Sequence, residues 1–318
     1  MADYDFARSM FAAIIWALMG GTMFSVIELF YLQKKLQNKS FLTIVGIKMV
    51  VYFIIMVMIN LFTSAVYQSL TMSLPIWNKQ VLTNVWYFFT TISFWHPVLP
   101  FTLLLLLTLF LIQINYKFGQ GELWKYVRGK YFRPREEERI FLFLDIASST
   151  SIAEELGHIR FFNFINDFYK DITDAILRNR GEIVDYVGDQ IIVGWSLTNG
   201  LTESQCLQCV FDIDERIEVL SSSYEQKYGF VPVFRSGLHY GESTVGEIGK
   251  IKKEVTYFGD VINTTARIQG LCKEKNQRIV ISESLMARLP LNDYRFESLG
   301  DIQLRGKSTS TKVFGVSL

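Results

Sequence analysis

Apolar positions fall into two regimes along this chain. Before residue 117 they come in long, nearly unbroken runs, and after it they come in short β-like runs and helical stripes separated by turn residues. Met10 to Leu32 and Phe41 to Val66 are each long enough to cross a bilayer, and a leucine-rich run over residues 98–116 is a third. The stretch 76–95 carries Trp77, Trp86, Tyr87 and Trp95 and suits a membrane boundary, as an interfacial helix or a re-entrant segment. Pro97 and Pro100 mark a break before the last span.

Charge gives these spans a direction. The loop from Gln33 to Lys39 holds Lys34, Lys35 and Lys39, and the third run ends in Lys117, Lys125, Arg128, Lys130, Arg133 and Arg135. Basic loops stay in the cytoplasm, so three spans with the N-terminus outside satisfy both. Glu28 and Lys48 lie inside apolar runs, which is costly unless they pair or reach the interface separately; the sequence leaves both open. Residues 117–138 form a polar connector, either a transmitter between the two halves or a passive tether.

In the polar half, Ile140 to Leu144 form an apolar strand that ends in Asp145, followed by Ser148, Ser149 and Thr150, which can open a helix. Ser149 to Arg180 reads as that helix, with Phe161, Phe164, Ile165, Phe168, Ile172 and Ile176 spaced by three and four. Gly181 to Trp195 reads as a hairpin with Gly188-Asp189 at its tip. A helix over Thr202 to Tyr228 and a strand over Val231 to Tyr240 come next, then a turn at Gly241 and a hairpin over Val245 to Phe258. Arg278 to Ile281, Tyr294 to Leu299 and Val313 to Val316 are the closing strands, and Ser282 caps a short helix. The alternation predicts an α/β sandwich.

Chemistry gathers at the strand ends. Alone, Asp145 is as readily an N-cap as a ligand. A second carboxylate on a neighbouring strand, Asp189, changes that: Mg²⁺ takes oxygen ligands and keeps waters, so two aspartates plus substrate phosphates suffice. Backbone N–H groups where the helix opens can hold a phosphate. Asn263 and Arg267 lie four apart on one helix face that can hold a sugar and a phosphate.

The ordered set Phe-Leu-Asp-Ile-x-Ser-Ser-Thr, Gly-Asp and Gly-Asp-x-x-Asn-x-x-Ala-Arg resembles the catalytic domain of class III nucleotidyl cyclases over residues 139–318. The resemblance implies a ferredoxin-like α/β domain, joined here to an α-helical transmembrane anchor over residues 1–116. It implies a head-to-tail homodimer, with metals held by one protomer and the nucleotide completed by the other. Asp145 and Asp189 would bind two Mg²⁺ or Mn²⁺ ions, Asn263 would orient the ribose, and Arg267 would stabilise charge on the reacting phosphate. Ser148, Ser149 and Thr150 would line the substrate. Arg305 falls where the family places a basic residue against the triphosphate.

Two positions bear on the base. Thr256 matches the bacterial adenylate type, whereas Asp185 stands where adenylate cyclases usually carry lysine and resembles the acid by which guanylate cyclases read guanine. The reading is a multi-pass adenylate cyclase of the inner membrane, its catalytic domain cytoplasmic, converting ATP to cyclic AMP and pyrophosphate. The alternatives are a guanylate cyclase using GTP and a catalytically silent receptor or scaffold.

Composition narrows the rest. Hydrophobic residues make up 50% of 318, with 26 Phe, more than a wholly soluble enzyme carries. A net charge of +1 and the lack of a basic aromatic cluster argue against nucleic acid as a partner. Cys206, Cys209 and Cys272 are too few for a four-ligand zinc set and read as core thiols, and His96, His158 and His239 each stand alone.

Overall fold

The computed structural model describes residues 6–36, 39–118, 128–251, 253–290, 294–303 and 310–318. It divides into two compact units, Met1–Leu123 and Trp124–Leu318. In the first, α1 (Phe6–Ile27) continues through a π turn at Glu28–Leu32 and a last α turn at Gln33–Leu36. Then come α2 (Phe41–Met72), the short α3 (Lys79–Phe89) and α4 (Ile92–Phe118).

Phe41–Met72 and Ile92–Ile112 are long and apolar enough to cross a membrane. Leu42, Ile54, Met58, Leu103 and Leu107 are exposed on them, unlike the side chains of a buried core helix. The 11-residue α3 is too short to span, and Trp86 and Tyr87 are exposed along it. The predicted break is misplaced. It falls at Thr90 and Thr91, and α4 runs through both Pro97 and Pro100. Both prolines lie in its first nine residues, where Asn60 of α2 donates to the Phe94 carbonyl at 3.2 Å.

Glu28 and Lys48 do pair. The Lys48 ammonium, 4% exposed, donates to one Glu28 oxygen at 2.5 Å, and the Tyr52 hydroxyl donates to the other.

The second unit is built on an eight-stranded sheet. In chain order its elements are β1 (Arg135–Ile146), α5 (Ser149–Arg178), β2 (Glu182–Val187), β3 (Gln190–Ser196), α6 (Leu197–Leu201), α7 (Gln205–Val219) and α8 (Ser221–Tyr228). They continue as β4 (Phe234–Ile248), β5 (Glu254–Phe258), α9 (Asp260–Glu274), β6 (Ile279–Ser282), α10 (Glu283–Met286), β7 (Arg295–Ile302) and β8 (Thr311–Ser317). The strand order is β2-β3-β1-β4-β6-β8-β7, with β5 on β4. Its first four strands are the antiparallel ferredoxin-like set, βαββαβ in sequence.

Alternation along β1 assigns the two faces. Ile140, Leu142, Leu144 and Ile146 meet Phe164, Phe168, Ile172 and Ile176 of α5 and Val210, Ile213 and Ile217 of α7 in the main core. Each such side chain contributes about 1.5–3 kcal/mol. Phe141 and Phe143 point the other way, into a smaller cluster with Ile192, Val261 and Ile262, and Asp145 continues that side at its rim. Here α9 lies directly on β4: a Cβ at Gly237 would stand 2.4 Å from the backbone nitrogen of Gln269.

Three predictions of local structure need correction. Gly241 is no turn, because β4 passes straight through it and its missing side chain makes room for Val261 of α9. The helix over 149–180 is interrupted at Gly157, whose φ is +70°. The helix over 202–228 is a 3₁₀ turn at Thr202–Ser204 followed by α7 and α8. All three cysteines are buried and free, as expected of core thiols, and burial pushes the Cys206 thiol up to about 12.

Sequence reasoning missed a charged node at the start of β1. Arg139, 3% exposed, donates to Glu137 at 3.0 Å and to Glu182 of β2 at 2.9 Å, reaches the Tyr131 hydroxyl at 3.4 Å and lies over the Tyr257 ring. Tyr131 belongs to the connector, yet it is buried and its carbonyl accepts from Glu247, so the last residues of the connector are part of the second unit. Arg139→Ala strands this network. It should destabilise the second unit by about 2–4 kcal/mol, read as a lower denaturation midpoint at unchanged slope.

Candidate active site

The β1–β3 register brings the two aspartates together. Asp145 pairs with Gln190, the residue after Asp189, and Val187 pairs with Gln190 across the hairpin, leaving Gly188-Asp189 as a two-residue loop. Gly188 supplies the positive φ, +66°, that such a loop needs at its first position. The Asp145 and Asp189 carboxyls then face each other within hydrogen-bonding reach. Burial first, and Asp189 second, push the Asp145 carboxyl up to about 7, while the Gln269 side chain and the Ile146 backbone N–H pull it down.

Beside them α5 begins. Ser148 takes a left-handed conformation with φ 59°, and its side chain makes no capping bond, so the N–H groups of the first turn point out next to Asp145. Ser148 and Thr150 are exposed and Ser149 is half-buried. A carboxylate pair next to a helix N-terminus is a donor set for a divalent cation that carries phosphate. The pair fits that role: without a cation it holds two acids together, a repulsion that a bound dication relieves. No group of three or more His, Cys, Asp or Glu suited to a metal occurs among the described residues.

Asn263 and Arg267 are not part of this cluster. Asn263 is exposed and Arg267 half-exposed on α9, and neither makes a hydrogen bond or ion pair within the chain among the described residues. Asp185 is exposed on β2, beside a bulge, and accepts from the Tyr186 N–H at 2.8 Å. Thr256 is half-buried on β5 opposite Gly246. No hydrogen bond joins Asp185 to Thr256; their neighbours Val184 and Tyr257 each pack against the same small apolar cluster around Phe141. Arg305 lies outside the described residues.

Two residues at the site escaped the sequence. Gln269 on α9 faces Asp145, and Tyr169 on α5 donates to the Gly188 carbonyl at 3.0 Å. Helical spacing gave Gln269 no tie to Asn263 or Arg267, and Tyr169 reads as a neighbour of the core stripe. Only the fold could single them out.

A ferredoxin-like sheet with one acid at the end of its first strand and a second on the β2–β3 hairpin defines a class of phosphate-handling α/β domain. The model of the adenylate and guanylate cyclase catalytic domain matches residues 133–316, and the chain belongs to that family. Adenylate cyclase 2 of Rhizobium meliloti (strain 1021) is 37% identical over 210 residues, 66% of this chain and 58% of the relative. The chain thus spans less than two thirds of that relative's length.

Among solved structures, a bacterial light-regulated adenylyl cyclase matches with a TM-score of 0.58 at 20% identity, over 69% of this chain and 64% of that one. The adenylyl cyclase CyaB from P. aeruginosa matches with a TM-score of 0.52 at 19% identity, over 58% and 96%. These two likenesses concern the fold.

The raised Asp145 value has a sign. A carboxyl whose folded pKa lies above its unfolded value of about 3.9 costs stability only once it ionises, so stability falls as pH rises from that value through about 7. Asp145→Asn removes the penalty. Discounted for solvent screening, the gain should be about 1 kcal/mol, or 2–4 °C in Tm, in metal-free protein at pH 8, and it should vanish near pH 4 in paired thermal melts.

Proposed function

We propose that this chain is a membrane-bound adenylate cyclase, converting ATP to cyclic AMP and pyrophosphate at the interface of a homodimer. The observation that carries this reading is the division of the site. Asp145, Asp189 and the start of α5 converge, whereas Asn263 and Arg267 are presented outward without partners in their own chain among the described residues. A head-to-tail pair of chains would set the outward face of one against the acidic end of the other.

In this reading Asp145 and Asp189 hold two Mg²⁺ or Mn²⁺ ions. Such ions, when bound, neutralise triphosphate charge and acidify the ribose 3′-hydroxyl. The N–H groups at the start of α5 receive phosphate oxygens, with Ser148, Ser149 and Thr150 lining that end. Asn263 of the partner subunit orients the ribose. Arg267 of the partner subunit acts on charge that grows as the 3′-oxygen attacks the α-phosphate and pyrophosphate leaves. Arg305 takes the triphosphate.

ATP is favoured by Thr256 and by the adenylate cyclases among the relatives. The second reading is a guanylate cyclase, favoured by the exposed Asp185 carboxylate, which can accept from guanine N–H groups. Parallel assays with ATP and GTP, each with Mg²⁺ and with Mn²⁺, should yield cyclic AMP. Cyclic GMP alone would make Asp185 the base reader, and no product from either would favour a silent receptor.

Asp145→Ala and Asp189→Ala should each abolish turnover, and Arg267→Ala should lower kcat more than it raises KM. Mixing Asp145→Ala with Arg267→Ala chains should restore about a quarter of wild-type activity, since half of random dimers then hold one intact site. No recovery would sink the shared site.

The first unit anchors the enzyme in the inner membrane with three spans, α1, α2 and α4, and α3 at the interface. The segment preceding α1 lies outside and the second unit in the cytoplasm. The apolar length and outward-facing side chains of α2 and α4, and the lysines between α1 and α2, support this. A cysteine at Ser73 should then react with an impermeant maleimide on intact cells and one at Ser40 should not. The reverse pattern would invert the topology.

A further inference from the structure

The hairpin that carries Asp189 is poorly supported from below. Its outer strand β2 is a sheet edge, and Asp185, Tyr186 and Val187 are exposed. Between this hairpin and α5 lies a cavity of about 660 Å³, lined mainly by Phe161, Phe162, Ile165, Tyr169 and Tyr186, with Asp189 at its edge. Packing is therefore not what fixes the turn.

Tyr169 spans the gap. Its hydroxyl donates to the Gly188 carbonyl at 3.0 Å, and its ring lies 4.7 Å from the Tyr186 ring. Among the described residues no other side chain bonds the backbone of Gly188 or Asp189. The strut has a rigid base: Phe168, its neighbour on α5, is fully buried in the main core, and Phe164 and Ile172 are buried one turn to either side.

We propose that Tyr169 is a positioning residue for the metal pair: by holding the Gly188 carbonyl it sets where the Asp189 carboxylate stands relative to Asp145. The inference rests on the reading that these two aspartates hold divalent cations. Tyr169 touches neither substrate nor metal. Without its hydroxyl the ring contact remains but the turn can swing over the cavity, and the entropy of reordering it falls on metal binding.

The test is binding of Mn²⁺ alone to nucleotide-free, full-length protein in detergent, read from the electron paramagnetic resonance signal of free Mn²⁺. Wild type, Tyr169→Phe and Asp189→Asn are compared, each with a thermal melt. Tyr169→Phe should weaken Mn²⁺ about tenfold at unchanged Tm. In turnover, the Mn²⁺ concentration for half-maximal rate should rise by the same factor, with kcat at saturating metal within about twofold of wild type.

Asp189→Asn separates the two levels. If it loses Mn²⁺ while Tyr169→Phe keeps wild-type affinity, the metal reading stands and the role of Tyr169 is overturned. If Asp189→Asn itself binds Mn²⁺ normally, the metal reading falls and the inference with it. A Tyr169→Phe loss that comes with an equal fall in Tm would also overturn it, as a general loosening of the fold.

Discussion

Two carboxylates that repel each other are held face to face by strand register. Asp145 sits opposite Gln190 because β1 and β3 align from Arg139–Ser196 down to the hairpin, and a slip of one residue would turn Asp145 into the main core and Leu144 out of it. The cost of that slip is what makes the site possible. Four buried aliphatic residues on one face of β1, with Trp195 of β3 buried and its indole N–H on the Asn179 carbonyl, outweigh the repulsion at the rim. Arg139 adds a second lock at the far end, tying β1 to Glu182 on β2. Glu182 is the first residue of β2, so this lock holds the end of the hairpin away from Gly188-Asp189.

The unequal faces of the sheet decide which residues remain free. The α5 and α7 side is filled by a large continuous core. On the other side α9 lies close on β4 at Gly237, covers only small clusters, and leaves the end of β1 partly open. One helix thus has two kinds of neighbour. Its inner residues Val261, Thr265, Ile268 and Cys272 are buried, Gln269 reaches Asp145, and Asn263 is turned to solvent. Asn263 and Arg267 thus stand on the same helix that brings Gln269 to Asp145.

What could be read in advance was whatever depends on local sequence. The apolar run into Asp145, the Gly188-Asp189 tip and the Ser282 cap are short-range signals, and each appears where expected, Ser282 accepting from the Leu285 N–H. The errors share a cause. Gly241 looked like a turn and Pro97 like a break because Gly and Pro carry strong local preferences, but β4 needs room for Val261, and α4 carries both prolines within its first nine residues. The wider fold overrode the local signal. Tyr169 and Gln269 were illegible for the opposite reason: neither type is unusual on a helix, and only the hairpin and β1 arriving beside them give them a task.

The pair of Glu28 and Lys48 raises a similar question in the first unit. A charge pair taken out of water seldom adds net stability, because desolvation offsets the attraction. Here the pair has a third member, Tyr52, and it sits where α1 passes into the π turn at Glu28–Leu32. A π turn carries an extra residue, which rotates the succeeding turn by about 100° relative to a continuous helix. With the π turn in place, Leu32 and Leu36 are buried with Tyr52, Ile55 and Ile59 of α2. The ion pair and its tyrosine therefore sit at the point at which the face of α1 changes, and they join α1 to α2 by polar contacts in a seam otherwise built of Leu, Ile and aromatic side chains.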